Sequence, residues 1–192
     1  MANALHIIHD LNEPLLQRPS VVTVGSFDGV HRGHQALLTR LRVIAEQEAL
    51  QRVVVTFEPH PRLILAPEAD FQLLTPTDEK AAWLAHYGVE VLVVLPFDRA
   101  FAALSGEQFA TTILRDRLHA RVLVAGFNHR FGHDRMAAEQ LQIEGLRVER
   151  VERTEVEGLH VSSSEIRRAI AANEIHLAEK LLGHPIQQIE NR

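Results

Sequence analysis

Two histidines three positions apart, His31 and His34, stand where a β-branched run breaks into a glycine turn and a helical pattern begins. An imidazole donates hydrogen bonds, and two of them beside a helix N-terminus can hold phosphate oxygens as charge builds up during a reaction. Gly33, between them, leaves room for a ligand to approach the backbone. A second group lies in Gly126-Phe127-Asn128-His129-Arg130-Phe131-Gly132-His133-Asp134-Arg135. There Asn128 offers donor and acceptor together, Phe131 can stack on a planar ring, and Arg130 or Arg135 can grip phosphate as a fork. A third group is Ser162-Ser163-Ser164-Glu165-Ile166-Arg167, where hydroxyls open a helix and an arginine one turn later can reach back to an anion held there. All three groups suit a compact polyanion. The first is expected to be a nucleotide phosphate site.

These side chains need elements to bring them together. Val21–Val24 has the composition of a buried strand and runs into Gly25-Ser26-Phe27-Asp28-Gly29. Leu37, Leu38, Leu41, Ile44 and Ala45 then recur at helical spacing. Arg52–Phe57 is a second strand, ending in the stiff Glu58-Pro59-His60-Pro61-Arg62. Thr77 or Asp78 is expected to cap a helix running to about Tyr87, with Gly88 after it and a strand over Val89–Leu95. Ser105 and Gln108 form a capping-box pattern, with Phe109, Ile113 and Leu114 turned inward, and Arg121–Ala125 is a fourth strand. Residues 146–160 suggest a strand, a turn and a second edge strand. Ser162 with Glu165 is another capping box, and residues 174–182 form a last amphipathic helix before Gly183. Residues 1–20 are expected to form a leading strand or an irregular arm. Val-rich runs alternating with helix patterns predict an α/β fold: a Rossmann-like doubly wound parallel sheet with helices on both faces. Ligands bind such sheets at the C-terminal ends of the strands.

Composition narrows the classes. At 192 residues with 46% hydrophobic and 23% charged residues, the chain is an ordinary globular domain. No cysteine is present, so disulfides are excluded. No apolar run approaches the roughly 20 residues that span a bilayer, and no signal-peptide pattern opens the chain, so the expectation is a cytoplasmic protein with no membrane partner. A net charge of −5 argues against a general nucleic-acid binder. Arg115, Arg117 and Arg121 fit a solvated charged face, interleaved with Asp116. Three plainer readings of the His31–His34 pair remain open: a simple βα turn, half of a metal site, or polar surface. Against a metal site stands the absence of Cys and of an obvious third ligand, so no protein-held metal is expected.

The stretch GSFDGVHRGH resembles the signature of nucleotidyltransferases that carry an HxGH motif, and most closely the FMN adenylyltransferase module of bacterial FAD synthetases. The TFEPHP segment is similar to the family's flavin-bordering loop. Gly126–Arg135 resembles its G-x-(D/N)-F-R-F-G-x-x-R pattern, and Ser162–Arg167 its ISSTxxR motif, with Ser164 in place of threonine. The resemblance runs from about residue 18 to about residue 186, which sets a domain of 1–186 and a tail of 187–192. It implies transfer of AMP from ATP to FMN, giving FAD and pyrophosphate, with Mg2+ accompanying ATP. It assigns charge stabilisation to His31, His34, Ser163, Ser164 and Arg167. Gly25, Phe27, Asp28, Gly33, Asn128 and Arg130 would shape the nucleotide site. Phe57, Pro59, Pro61, Asn128 and Phe131 would border the flavin. The chain departs from the pattern at His129, where the family usually has phenylalanine, and at Met136-Ala137-Ala138, which replace a Gly-Asp.

Bacterial FAD synthetases usually continue into a riboflavin kinase module, whereas this sequence stops at Arg192. It is therefore expected to be a stand-alone adenylyltransferase or an excised module, with FMN supplied by a separate riboflavin kinase. The alternatives are a nucleotidyltransferase of the same superfamily acting on another phosphate, and a catalytically weak flavin-nucleotide binding module.

Overall fold

A computed structural model describes residues 4–11, 16, 18–67 and 71–186. The tail assigned to 187–192 and the proline at position 14 lie outside the described residues. In chain order the first elements are β1 (His6–Ile8), β2 (Ser20–Val24), α1 (Arg32–Glu48), β3 (Gln51–Glu58), α2 (Pro61–Leu65), α3 (Thr77–His86) and β4 (Val91–Pro96). Two short helices follow, α4 (Arg99–Ala102) and α5 (Gly106–Phe109), the second running on into a π-helical stretch over Ala110–Arg115. Then come β5 (Ala120–Gly126), the small strands β6 (Arg130–Phe131) and β7 (Met136–Ala137), and β8 (Arg147–Val151). A hairpin of β9 (Glu155–Val156) and β10 (Leu159–His160) leads to α6 (Ser163–Ala171) and α7 (Ile175–Leu182).

Six strands form one sheet in the order β1-β4-β3-β2-β5-β8, and every pairing in it is parallel. The alternation of side chains along a strand divides the core between its two faces. Val22, Val24, Val53, Val55, Val93 and Leu95 pack on one face with Phe109, Ile113 and Leu114 of the α5–π stretch. On the opposite face, Val54, Leu92 and Val94 meet Leu38 of α1 and Ala81 and Leu84 of α3. Beside them, Val21, Val122 and Val124 meet Leu41, Ile44 and Ala45 of α1. The doubly wound α/β architecture expected from the Val-rich runs is the observed one. Among the described residues no helix is long and apolar enough to cross a membrane.

Local differences have local causes. The second edge strand expected within residues 146–160 is instead the β9–β10 hairpin, paired only within itself. Its turn residues Glu157 and Gly158 both take positive φ, 53° and 79°, the geometry that closes a two-residue hairpin. Pro76, and not Thr77 or Asp78, precedes the first turn of α3 with no side-chain cap. Thr77 donates its hydroxyl hydrogen bond to Glu58 (3.2 Å). Ser105 with Gln108 is a complete capping box. Ser162 makes only half of one: its Oγ accepts from the Glu165 amide, while the Glu165 carboxylate pairs with Arg168.

Candidate active site

From β2 the chain winds outward through β3 and β4, then crosses back to β5 and β8 on the other side of β2. The crossover opens a crevice beyond the C-terminal ends of β2 and β5, where open α/β sheets bind ligands. β2 feeds Gly25–His34 into that crevice, and β5 feeds Gly126–Arg135. Two cavities of about 410 Å³ and 560 Å³ lie there, with a common wall. Both volumes are in the range of small-molecule sites.

The smaller cavity is polar. His31, Gly33 and His34 line it from the start of α1, and Ser162, Ser163 and Ser164 from the start of α6. Two helix N-termini therefore face one space, each presenting backbone N–H groups and a positive dipole end. His31 is the N-cap of α1, and its Nδ1 accepts the His34 amide at 3.3 Å. That bond leaves the ring's proton on Nε2, so a neutral His31 is a donor with its tautomer already chosen. The two imidazoles stack with centroids 3.7 Å apart and planes 12° apart, and the Phe27 ring backs His34 at 4.8 Å. Burial drives the His31 pKa down to about 4. His34 is pushed down as well, by burial first and then by His31, Lys80 and His129. A side chain at Gly33 would put its Cβ 3.2 Å from the His31 ring. The absence of a side chain at Gly33 leaves room for the His31 ring, and Gly33 itself lines the cavity.

Asp28 has a structural task. Its side chain is fully buried and is not part of the cavity wall. Oδ1 accepts the amides of Leu74 (2.8 Å) and Thr75 (3.1 Å), and Oδ2 pairs with the Arg167 guanidinium. Its backbone carbonyl accepts the Ser163 hydroxyl at 2.9 Å. Burial, the largest influence, raises the Asp28 pKa against the opposing pull of Arg167 and the two amides. The flanking Phe27 and Val30 hold positive φ of 49° and 37°, costly for a bulky or β-branched residue and tolerated where surroundings over-determine the backbone. Asp28 supplies part of that determination. Arg167 in turn donates Nε to the Gln72 carbonyl (2.7 Å) and lies over the Phe71 ring at 4.3 Å. Among the described residues its Nη1 has no partner, and Arg167 lines the polar cavity.

The larger cavity is aromatic. Phe57, Phe97, Phe101, Phe109 and Phe131 line it, joined by ring contacts of 5.6 Å for Phe57–Phe97, 5.8 Å for Phe101–Phe109 and 6.0 Å for Phe109–Phe131. The β6–β7 ribbon is held against α5: Asp134 accepts the Gly106 amide at 2.9 Å. Gly132, at φ 68°, has no room for a Cβ, which would fall 2.1 Å from the Gly106 nitrogen. Met136 and Ala137 supply the second strand of this ribbon.

Of the residues singled out in the sequence, His31, His34, Ser163, Ser164, Arg167, Gly25, Phe27, Gly33 and Asn128 meet at the polar cavity. Phe57, Pro61 and Phe131 meet at the aromatic one. Arg130, assigned to the nucleotide, lines the aromatic cavity instead. Pro59 lines neither. It is exposed and follows a cis peptide bond. Ser163 donates its hydroxyl to Asp28, so Ser164 is the serine of the pair whose hydroxyl is uncommitted among the described residues. His60, His129, Phe97, Phe101 and Phe109 were not assigned to a site from sequence. The clustering of Phe97, Phe101 and Phe109 after β4 was the available signal.

The buried histidines make stability sensitive to acid. An unfolded histidine titrates near 6.5 and the folded His31 near 4, so between those values the unfolded chain binds the extra proton. Stability from His31 is complete above about pH 6.5 and is lost as pH falls toward 4, with a slope of up to about 1.4 kcal/mol per pH unit. Replacing His31 with Asn, which can still cap a helix, is expected to make the wild-type slope shallower by that amount in chemical denaturation between pH 6.5 and 4. Equal slopes in the two proteins would overturn the assignment.

Comparison with known proteins adds an independent line. A family model described as FAD synthetase matches residues 13–165. The bifunctional riboflavin kinase/FMN adenylyltransferase of Pseudomonas fluorescens is 40% identical over 175 residues, covering 88% of this chain and 56% of that protein. The Escherichia coli protein of the same description is 36% identical over 183 residues, covering 93% and 58%. The chain thus spans a little over half the length of these relatives. Among solved structures, one described as a macrolide-efflux protein from Streptococcus pneumoniae matches with a TM-score of 0.86 at 34% identity, over 95% of this chain and 61% of that one. A pantoate-beta-alanine ligase from Francisella tularensis, with a TM-score of 0.60 at 17% identity over 98% of this chain and 82% of that one, shares the fold.

Proposed function

Since the chain belongs to the FAD synthetase family, we propose that it transfers AMP from ATP to the phosphate of FMN, giving FAD and pyrophosphate. One observation carries this reading: a polar, imidazole-lined cavity and an aromatic cavity share a wall at the topological crossover of the sheet. A nucleotide triphosphate suits the first, and a planar flavin suits the second. Their phosphates would then meet at the wall.

In the reaction a phosphate oxygen of FMN attacks the α-phosphorus of ATP. The new P–O bond forms as the bond to the β-phosphate's bridging oxygen breaks, and its electrons leave with pyrophosphate. The nucleophile is already anionic, so no side-chain nucleophile or base is required. The protein's work is alignment and stabilisation of charge on the α-phosphate and the leaving group. His31, with Nε2–H as donor, and His34 are assigned to that charge. The α6 N-terminus with the Ser164 hydroxyl joins them, together with the free side of the Arg167 guanidinium. Asp28 and Ser163 hold Arg167 and the two helix starts in place. The described residues contain no group of three His, Cys, Asp or Glu that could cage a metal ion. Mg2+ accompanying ATP would be carried on the nucleotide phosphates, where it would neutralise their charge.

The test is direct. Protein with FMN, ATP and Mg2+ is expected to yield FAD and pyrophosphate in equal amounts, scored by chromatography and a coupled pyrophosphate assay. Riboflavin with ATP is expected to yield no FMN. FMN binding with neither product formed would replace the enzyme with a flavin-nucleotide binding module.

A further inference from the structure

The wall between the two cavities contains Gly25 and Ser26 at the end of β2 and two imidazoles, His60 and His129, which line both spaces. His60 is anchored as the cap of α2, its Nδ1 accepting the Arg62 amide at 3.1 Å. His129 is held differently. Its amide closes a turn onto the Gly126 carbonyl at 3.0 Å, and its ring leans on Phe131 with centroids 4.2 Å apart. Neither ring nitrogen of His129 has a protein partner among the described residues. Burial drives its pKa to about 4, so at neutral pH the ring carries one N–H and one acceptor nitrogen. The residue is half-buried, and its ring faces both cavities with its nitrogens open to a ligand in either. Packing on Phe131 alone would be served as well by a phenyl ring, the side chain usual at this position in the family that the loop resembles.

We propose that the His129 ring, set in the wall between the two cavities, hydrogen-bonds the phosphate of the flavin nucleotide and so favours phosphorylated over unphosphorylated flavin. The proposal rests on the adenylyltransferase reading, which puts the FMN phosphate at that wall. It makes His129 a third imidazole beside the reacting phosphates, near enough to His34 to lower its basicity. It also gives the departure from the family pattern a chemical content.

Binding of FMN and of riboflavin separates a phosphate contact from ring packing. Both ligands fill the aromatic cavity, and only one brings an anion to the wall. Affinities of the wild type, His129→Phe and His129→Gln are to be measured by calorimetry or flavin fluorescence, without ATP. The Phe variant is expected to bind FMN about tenfold or more weakly, as for loss of a hydrogen bond to a charged group, and riboflavin within twofold of wild type. The Gln variant, which keeps a donor, is expected to recover most of the FMN affinity. An equal loss for both flavins would mean that His129 only packs, and unchanged FMN binding in the Phe variant would remove its role altogether. A wild type that binds neither flavin would overturn the adenylyltransferase reading and this proposal with it. Binding of both with no His129 discrimination overturns the proposal alone.

Discussion

Replacement of His31 by alanine is expected to lower the rate of FAD formation by ~10² or more, the usual effect of removing one donor aimed at developing charge. Two consequences of the change have to be separated. His31 caps α1 through Nδ1, and losing a cap costs about 1 kcal/mol of stability. Its Nε2–H is the part assigned to phosphate. His31→Asn retains a capping oxygen and cannot place a donor at the Nε2 position, so it is expected to be nearly as slow as the alanine variant while folding as well as wild type. His34→Ala removes the ring stacked on His31 and is expected to fall in the same range. Turnover numbers measured at saturating FMN and ATP decide the matter. Near-normal turnover in both alanine variants would withdraw the two imidazoles from the chemistry.

The second large effect is on the folded state. Asp28→Ala removes the partner of a half-buried guanidinium and the acceptor of two backbone amides at one stroke. Breaking one side of a buried pair costs about 3–5 kcal/mol, and because Arg167 is half-buried and opens onto the cavity, a loss at the lower end of that range is expected. That is a large fraction of the 5–15 kcal/mol by which domains are stable. The upward push of burial on the Asp28 carboxyl fits the same principle: the pair gains little over an apolar replacement of both partners, yet neither partner can be lost alone. Asp28→Asn keeps an acceptor for Leu74 and Thr75 and is expected to lose less than the alanine variant. Urea unfolding with an unchanged m-value would give the difference. A loss below about 1 kcal/mol for Asp28→Ala would mean that Arg167 finds another partner, contrary to its geometry.

Much of this was legible in the chain. Val21–Val24, Arg52–Phe57, Val89–Leu95 and Arg121–Ala125 stand within a few residues of β2 to β5, because a strand buried on both faces must be a continuous apolar run. The His31–His34 pair was legible because two imidazoles at the point where a glycine turn opens a helix stand beside its N-terminus. Asp28 was expected from the resemblance to shape the nucleotide site, and its place in the structure has a nonlocal cause. Only the arrival of Leu74, Thr75 and Arg167 turns its carboxylate inward. Phe109 was read as core, and it is core, but it also walls a cavity; periodicity distinguishes inside from outside and does not distinguish packed from open. Arg130 and Asn128 lie two residues apart, yet they face different cavities, a division that depends on the pairing of β6 with β7 and not on composition.

The Asp28–Arg167 pair spans 139 positions of the chain. At synthesis rates of ~5–20 residues per second, about 7–30 s separate the addition of one partner from the addition of the other. For that interval the growing polypeptide carries the histidine motif with its anchoring carboxylate unmatched. The starts of α1 and α6, which frame the phosphate cavity together, cannot yet be joined. Ligand binding is then expected to appear abruptly once α6 has emerged, and not to grow with length.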